Sequence, residues 1–168
     1  DSLRVTSHRL NQSEELNRTD ELTSLSNRRG LALYLEQGRN NGGFHGYGLL
    51  LIDCDRFKNV NDVYGHLLGD RVLQSVANIL RSLSGSHDMA CRLGGDEFCL
   101  LLGTGTAEEA RLAGERAIAN LALRVPTVSA SFGVSSLGLG AKRPSDLLRA
   151  ADHALYVAKR AGRNRVCV

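Results

Sequence analysis

The sequence predicts an α+β fold in which a mixed or antiparallel sheet of about five strands packs against flanking helices, in the split βαβ, ferredoxin-like arrangement. Residues 48–52 form a continuous apolar run, which is typical of a central strand buried on both faces. Residues 89–91 and 99–102 are two further apolar runs on either side of a Gly-Gly pair, and this pattern predicts a β-hairpin. Helical segments separate these strands, so the predicted order is β, α, β-hairpin, α, β, α, β.

Helical periodicity, capping signals and alternation place the other elements. The predicted helices cover residues 30–37, 67–83, 106–124 and 145–161, and the predicted strands cover residues 128–134 and 164–168. Thr106 and Glu109 form a capping box at the start of the third helix, and Pro126 prevents its continuation. Ser145 is expected to cap the last helix, and Gly162 to follow its end.

The length of 168 residues and the 42% hydrophobic content suit one domain with a full core and are too small for two. We expect residues 1–18 to be a helical linker from an upstream module and residues 19–168 to be the domain. Leu3, Leu10 and Leu16 have near-heptad spacing, which fits a short dimerising coiled coil as well as a frayed linker. Because the chain does not begin with Met, we expect a longer protein with an upstream sensory or regulatory domain.

Charge and aromatic content favour a small anionic ligand. The chain has 21 basic and 18 acidic residues, a net charge of +3, and the basic excess is densest after Lys142. Aromatic residues are only 5% of the chain and do not alternate with this basic run, which argues against a nucleic acid partner.

The four cysteines are predicted to be buried, reduced thiols. Cys54, Cys91, Cys99 and Cys167 lie in or beside apolar runs without C-x-x-C spacing, so neither a disulfide framework nor a zinc site is indicated. No apolar stretch is long enough to span a bilayer, and no signal peptide begins the chain. We therefore expect a cytoplasmic domain, and leave open whether other parts of a longer protein attach it to a membrane.

Acidic residues stand at two of the predicted strand ends. Asp96 and Glu97 follow the Gly-Gly pair of the hairpin, and they can approach one ion only where the turn interrupts the alternation of side chains. A solvent-exposed hairpin tip is the commoner interpretation of an isolated Gly-Gly-Asp-Glu sequence. Asp53, however, ends the buried central strand, at the edge where α/β proteins bind ligands. Carboxylates that bind Mg²⁺ beside a basic cluster are what phosphoryl or nucleotidyl transfer requires.

Five motifs in these regions resemble those of one family. They are DELTSLSNRR at residues 20–29, DCDRFKNVNDVYGHLLGD at 53–70, RLGGDEF at 92–98, SFG at 131–133 and ADHALYVAKRAGRN at 151–164. With these motifs, residues 19–168 resemble the GGDEF domain of diguanylate cyclases. The resemblance implies a palm-type nucleotidyl cyclase fold and an enzyme that condenses two GTP molecules into cyclic di-GMP and two pyrophosphates with Mg²⁺.

The resemblance also implies the metal ligands and the catalytic residues. Asp53, the backbone carbonyl of Cys54, Asp96 and Glu97 would hold two Mg²⁺ ions per site, with Mn²⁺ as an alternative. Asp96 would assist removal of the proton from the attacking 3′-hydroxyl of GTP. Glu97 would complete the metal shell, and Lys58 would act in catalysis beside the two carboxylates.

The same motifs imply how the phosphates of GTP bind. The backbone of Arg56, Phe57 and Lys58 would hold the triphosphate at a helix N-terminus, where free N–H groups favour an anion. Lys58, with Lys159 and Arg163, would neutralise the β and γ phosphates.

Asn61 and Asp70 match the pair that binds guanine in this family. An aspartate accepts hydrogen bonds from N1–H and N2–H₂ of guanine, whereas adenine presents an acceptor at N1 and would be repelled. Asp55 is interpreted as a residue with a local role, Asp62 as a charge on a helix surface, and His66 as a turn residue.

The chain departs from the family at an inhibitory product site. Many members carry Arg-x-x-Asp shortly before the hairpin turn, and here the corresponding window begins at Gly85 and ends at Asp88. Product inhibition through this site is therefore expected to be absent or weak, unless Arg81 or Arg92 reaches the same surface. A milder departure is Ser24, where the family usually has Gly.

Two other functions stay open. A GGDEF module that binds GTP without cyclising it could regulate an attached domain, and a more distant alternative is a palm-like polymerase, whose nucleic acid contacts the composition does not supply. Because one site holds one GTP and the product joins two, a homodimer is expected to be the catalytic unit.

Overall fold

The computed structural model describes residues 9, 12–13, 17–40, 47–103, 105–137, 140–141 and 143–168. Its elements in chain order are α1 (Arg28–Asn40), β1 (Gly48–Cys54), α2 (Phe57–Tyr64), α3 (His66–Leu83), β2 (Met89–Gly94), β3 (Glu97–Leu102), α4 (Ala107–Arg124), β4 (Ala130–Leu137), β5 (Gly140–Ala141), a 3₁₀ turn (Pro144–Asp146), α5 (Leu147–Arg160) and β6 (Val166–Cys167). This order agrees with the predicted one, with α2 and β5 as added elements. The leucines of the predicted lead-in helix, Leu3, Leu10 and Leu16, lie outside the described residues.

β1 is the central strand of a six-stranded mixed sheet. The order of strands is β2-β3-β1-β4-β5, with β6 also paired to β4. β1 runs antiparallel to both β3 and β4, whereas β5 and β6 run parallel to β4. Because β5 and β6 have only 2 residues each, the four longer strands make most of the sheet, and the predicted α+β class is confirmed.

Successive residues of β1 enter two cores on opposite faces of the sheet. Leu50 and Ile52 pack with residues of α3 and α4, whereas Leu49 and Leu51 pack with residues of α1 and α5. All of these side chains are at most 1% exposed, which confirms a central strand buried on both faces. Burial of each one contributes about 1.5 to 3 kcal/mol, so the two helical layers fix this strand firmly.

Two helices connect β1 to the hairpin, where the sequence predicted one. Gly65, with a φ of 87°, separates α2 from α3. The predicted helix over residues 67–83 is α3. Periodicity did not predict α2, although the family resemblance implied a helix N-terminus at residues 56–58. Since α2 has only 8 residues, its apolar periodicity is too short to be recognised in the sequence.

The start of α4 has the predicted cap, and the start of α5 does not. Thr106 Oγ1 accepts a hydrogen bond from the Glu109 N–H at 3.2 Å, and Glu109 Oε2 accepts one from the Thr106 N–H at 3.0 Å, which confirms the capping box. The predicted cap at Ser145 is wrong, because Ser145 lies inside the 3₁₀ turn and Asp146 precedes α5 without a side-chain cap. A proline at the first position of that turn fixes φ and favours the tight winding.

The end of α5 is followed by three residues in the left-handed region. Gly162 has a φ of 121°, as expected for a helix end, and Arg163 and Asn164 follow at 64° and 47°. These conformations are incompatible with a strand, so β6 is shorter than the strand predicted over residues 164–168.

The cysteines are free thiols, as predicted, and of these only Cys167 is partly exposed. None of the helices in the described ranges is long and apolar enough to cross a bilayer.

Gly133 brings the backbone of α5 directly onto β4. A Cβ atom at this position would overlap the carbonyl oxygen of Ala151 and the backbone nitrogen of Leu155. Both clashing atoms belong to the helix backbone, which cannot move aside as a flexible side chain could. The position of α5 on the sheet therefore depends on the absence of a side chain at residue 133.

We predict that Gly133→Ala lowers the free energy of unfolding by about 1 to 3 kcal/mol, because the added methyl group forces α5 away from β4. Chemical denaturation measures this change. Gly85→Ala is the control, since Gly85 is exposed and a Cβ there would meet only the Asp88 carboxylate, at 3.2 Å. Equal stability of the two variants would contradict the prediction.

Candidate active site

The end of β1 and the turn of the β2–β3 hairpin form one structural unit. Asp53 lies opposite Glu97 on β3 and opposite Ser131 on β4. Between the two hairpin strands the register shifts, and the backbone N–H of Cys54 donates to the carbonyl oxygen of Asp96 at 3.2 Å. The turn therefore interrupts the alternation of side chains, as predicted, and brings the hairpin tip to the end of the central strand.

The carboxyl groups of Asp96 and Asp53 are in contact at this point. Partial burial, the charge of Asp53 and a hydrogen bond to its carboxylate together raise the pKa of Asp96 to about 6. Burial also raises the pKa of Glu97, although Arg28, whose Nη2 lies 3.8 Å from Glu97 Oε1, opposes that shift. Near neutral pH, Asp96 is thus a carboxyl group that readily exchanges a proton.

Lys159 joins these carboxylates from the last turn of α5. Its Nζ lies 2.8 Å from Asp53 Oδ2, and the two side chains are 30% and 24% exposed. The structure therefore brings Asp53, Asp96, Glu97 and Lys159 together, and it pairs Lys159 with Asp53.

The donor set at the end of β1 suits a divalent metal only in part. No three His, Cys, Asp or Glu side chains of the described residues form a ready-made metal site. Asp53 and Asp96 nevertheless supply adjacent hard oxygen donors, and Mg²⁺ in phosphate-processing sites takes one or two carboxylates and completes its shell with substrate phosphates and water. Burial raises the pKa of the Cys54 thiol, which stays neutral, so only the backbone carbonyl of this residue could be a ligand. The site fits a metal ion that a phosphate ligand completes.

Arg56 and Arg163 line an open cleft of about 430 Å³ at the start of α2. Arg56 precedes α2 with a φ of 51°, and no side-chain cap occupies the helix N-terminus. Within the described residues, the side chains of Arg56, Lys58 and Arg163 have no ion-pair partner. Free cations beside a free helix N-terminus are suited to a phosphate chain.

Asp55 holds the loop that carries Arg163. Its buried carboxylate accepts hydrogen bonds from Ser129 Oγ at 2.7 Å, Ser131 Oγ at 2.6 Å and the Asn164 N–H at 3.1 Å. Asp55 is therefore a structural residue and not a metal ligand, but its role extends well beyond its own loop. The sequence offered only one signal for this role, an Asp-x-Asp pattern at a strand end.

Asn61 of α2 packs closely against Gly69 of α3, the residue before Asp70. A Cβ atom on Gly69 would overlap Asn61 Oδ1 and would lie 3.2 Å from Phe57 Cζ. This close approach places Asn61 and the exposed Asp70 near each other at the junction of the two helices. Asp62 and His66 are exposed, and His66 begins α3.

Arg92 braces the hairpin turn, a role that sequence reasoning missed. Its Nε and Nη2 donate to the carbonyl oxygen of Gly95 at 3.0 and 2.8 Å. Its Nη1 donates to Asp20 at 3.1 Å, and Asp20 also accepts from Thr23 Oγ1 at 2.6 Å. The hydrogen bonds and the charge of this neighbourhood lower the pKa of Asp20 even though burial opposes the shift.

Arg81 and Arg92 both bind residues other than Asp88. Arg81 donates to the carbonyl oxygen of Thr23 and to Asn78 Oδ1, and Arg92 is held as described above. The Asp88 carboxylate accepts from the backbone N–H groups of Gly85 at 2.7 Å and Gly103 at 3.2 Å. The described residues thus give no replacement for the missing arginine of the Arg-x-x-Asp window.

Comparison with known proteins supports the resemblance seen in the motifs. The family model described as "Diguanylate cyclase, GGDEF domain" matches residues 17–165. The chain is 39% identical over 125 residues to Diguanylate cyclase A of Treponema denticola, covering 70% of this chain and 34% of that protein. It is 38% identical over 161 residues to Diguanylate cyclase DgcM of Escherichia coli, covering 92% of this chain and 39% of the relative. The chain therefore spans little more than a third of the length of these curated relatives.

Solved structures of similar domains share the fold. The coiled coil and GGDEF domain of DgcB from Caulobacter crescentus, in complex with c-di-GMP, aligns with a TM-score of 0.83 at 27% identity, over 99% of this chain and 93% of that one. The GGDEF domain of PA1120 (TpbB or YfiN) from Pseudomonas aeruginosa aligns with a TM-score of 0.79 at 34% identity, over 89% and 92% of the two chains.

The raised pKa of Asp96 predicts how stability depends on pH without metal. Between about pH 4 and pH 6 the folded protein holds a proton on Asp96 that the unfolded chain releases, so the free energy of unfolding falls as the pH rises through this window. Asp96→Asn keeps the shape and the neutral state, and this variant is expected to be about 1 kcal/mol more stable than the unmodified chain at pH 7.5, a value reduced because the group is partly exposed. The difference is expected to vanish near pH 4.

Denaturant unfolding in the presence of a chelator, at several pH values, measures this difference. Asp62→Asn, on the exposed side of α2, is the matched control and is expected to show no such pH dependence. A pH-independent difference between the unmodified chain and Asp96→Asn would contradict the assignment.

Proposed function

The chain belongs to the GGDEF domain family of diguanylate cyclases, and on that premise we propose that it condenses two GTP molecules into cyclic di-GMP and two pyrophosphates. The observation that carries this proposal is the meeting of Asp53, Asp96 and Lys159 at the end of the central strand. A proton acceptor, metal-binding oxygens and a cation for phosphate lie within one small region, which is the set that nucleotidyl transfer needs.

Each residue has a defined part in this reaction. Asp53, Asp96, Glu97 and the carbonyl of Cys54 would hold the two Mg²⁺ ions, or Mn²⁺ in their place, and these ions supply charge neutralisation at the phosphate oxygens. Asp96 accepts the proton of the attacking 3′-hydroxyl, and its pKa of about 6 leaves most of it deprotonated at neutral pH while it remains a useful base. The hydroxyl then attacks the α phosphate of the second GTP in line with the departing pyrophosphate.

The cations and the helix N-terminus hold the triphosphate. The N–H groups of Phe57 and Lys58 at the start of α2, where no side chain caps the helix, would bind the phosphates, with Arg56 beside them. Lys58, Lys159 and Arg163 offset the charge of the β and γ phosphates, which makes pyrophosphate a better leaving group.

Asn61 and Asp70 select guanine at the junction of α2 and α3. The carboxylate of Asp70 accepts from N1–H and N2–H₂ of guanine, and an adenine would leave this acceptor unpaired. Gly69 permits this arrangement, because any side chain there would displace Asn61.

Two domains must face each other for the full reaction. One site holds one GTP, whereas the product contains two, so the catalytic unit is a homodimer with the substrates between its protomers. We further propose that the domain acts in the cytoplasm under the control of an upstream sensory or regulatory module. The second candidate is a module that binds GTP without turnover and regulates an attached domain. It is favoured by the fact that turnover requires a second copy of the domain, whereas GTP binding does not.

We predict that the purified chain at high concentration, with GTP and Mg²⁺, forms cyclic di-GMP detectable by chromatography. Asp96→Ala is expected to retain its fold and to lose at least about a hundredfold in turnover, because the proton acceptor is gone. Asp62→Ala, which removes an exposed carboxylate of α2, is the control and is expected to retain turnover. Specific activity is also expected to fall on dilution to the monomer. GTP binding without any product at high concentration would favour the regulatory module.

We also predict weak inhibition by the product. Glycine at position 85 provides no guanidinium for the phosphates of cyclic di-GMP, and Arg81 and Arg92 are held elsewhere. Gly85→Arg is expected to introduce inhibition and to tighten product binding by one or more orders of magnitude, since a charged hydrogen-bonding partner is worth about 2 to 5 kcal/mol. Strong non-competitive inhibition of the unmodified chain in the same turnover assay would be the opposite result.

A further inference from the structure

Lys159 occupies the carboxylate that a metal ion would need. Its Nζ lies 2.8 Å from Asp53 Oδ2, and both side chains are largely buried. Among the ion pairs of the described residues, this is the one that involves Asp53. A compact ammonium group at this distance satisfies the negative charge of Asp53 and holds its carboxylate in place.

An ammonium group and a divalent cation cannot share this position. Lys159 Nζ contacts Oδ2 of Asp53, and a divalent ion bound to either oxygen of that carboxylate would lie close to the ammonium group. At such short range the like charges repel strongly in a partly buried site. Metal that arrives alone must therefore displace Lys159 and gains few ligands in return, consistent with the lack of a ready-made metal site in the described part of the chain.

GTP would lower the cost of displacing Lys159 and would also add ligands for the metal. Its phosphates offer Lys159 a new partner, and they also supply the oxygens that Mg²⁺ lacks at Asp53 and Asp96. The flexible four-carbon side chain allows the amine to move by several ångströms while α5 stays fixed on β4 at Gly133. Neither the helix nor the sheet has to shift.

We propose that Lys159 is a positioning residue that holds Asp53 closed to metal until a nucleotide arrives, so that metal and GTP bind cooperatively and metal alone binds weakly. This inference rests on the proposed function for the identity of the nucleotide. In thermodynamic terms, the proposal is a coupling free energy between the metal and the nucleotide. By linkage, the metal raises the affinity for the nucleotide by the same factor as the nucleotide raises the affinity for the metal.

A titration with Mn²⁺ alone, followed by the electron paramagnetic resonance signal of the free ion, tests the proposal without turnover. Lys159→Met is expected to bind Mn²⁺ about tenfold more tightly than the unmodified chain, because no ammonium has to be displaced. Lys159→Arg retains the charge and is expected to bind Mn²⁺ as weakly as the unmodified chain. Arg160→Met is the matched control, since it removes a neighbouring charge that lies over Tyr156 and does not contact Asp53.

The second half of the experiment repeats the titration with a non-reactive GTP analogue present. In the unmodified chain the analogue is expected to tighten Mn²⁺ binding by at least about tenfold, and in Lys159→Met this gain is expected to be much smaller. A general loss of structure would weaken metal binding, so tighter binding cannot come from misfolding. Lys159→Gln repeats the test if the Met variant is poorly folded.

Unchanged or weaker Mn²⁺ binding by both neutral variants, or an equal gain in Arg160→Met, would overturn the proposal. If Lys159→Met binds Mn²⁺ more tightly but the unmodified chain makes no cyclic di-GMP, the proposed role of Lys159 is supported and the cyclase function is not. The two proposals can therefore fail separately.

Discussion

The register of the central strand decides where the functional side chains lie. β1 pairs with β3 on one side and β4 on the other, and both pairings place Asp53 beside the hairpin turn, opposite Glu97 and Ser131. A slip of one residue would exchange the two core faces and would turn Asp53 to the opposite face of the sheet. The alternating burial of residues 49–52 against two separate cores makes that slip very costly, so the same hydrophobic pattern that stabilises the sheet also positions the carboxylates.

Asp53 and Asp55 show how two carboxylates of one segment acquire different tasks. Asp55 is buried and accepts three hydrogen bonds, from Ser129 just before β4, from Ser131 in β4 and from Asn164 in the loop after α5, and these occupy most of its acceptor sites. Those bonds also stabilise Arg163 and Asn164 in left-handed conformations, which non-glycine residues adopt only when the surrounding structure holds them. Among the described residues, the Asp53 carboxylate contacts only side chains that can move, the amine of Lys159 and the carboxyl group of Asp96, and so it remains available for exchange.

The sequence predicted those elements that are determined by residues close together in the chain. The Gly-Gly pair between apolar runs predicted the hairpin, the continuous apolar run predicted β1, and the Thr106–Glu109 box predicted the start of α4. The failures have local causes as well: α2 is too short for periodicity, and the proline before Ser145 forms a 3₁₀ turn where a cap was expected. The partners of Lys159 and Arg92 could not be predicted, because each pair joins segments far apart in the chain and depends on the finished packing.

The brace formed by Arg92 also has a consequence for local unfolding. One guanidinium ties the carbonyl of Gly95 in the hairpin turn to Asp20 in the segment that leads into the domain. The backbone N–H of Arg92 donates to the Ser26 carbonyl at 2.9 Å, which adds a second link between the same two regions. Neither region can open while the other stays closed without leaving a partly buried charge unpaired. Amide hydrogen exchange is thus expected to show the two turns opening as one cooperative unit. The free energy of opening of the hairpin turn then equals that of a segment distant from it in the chain.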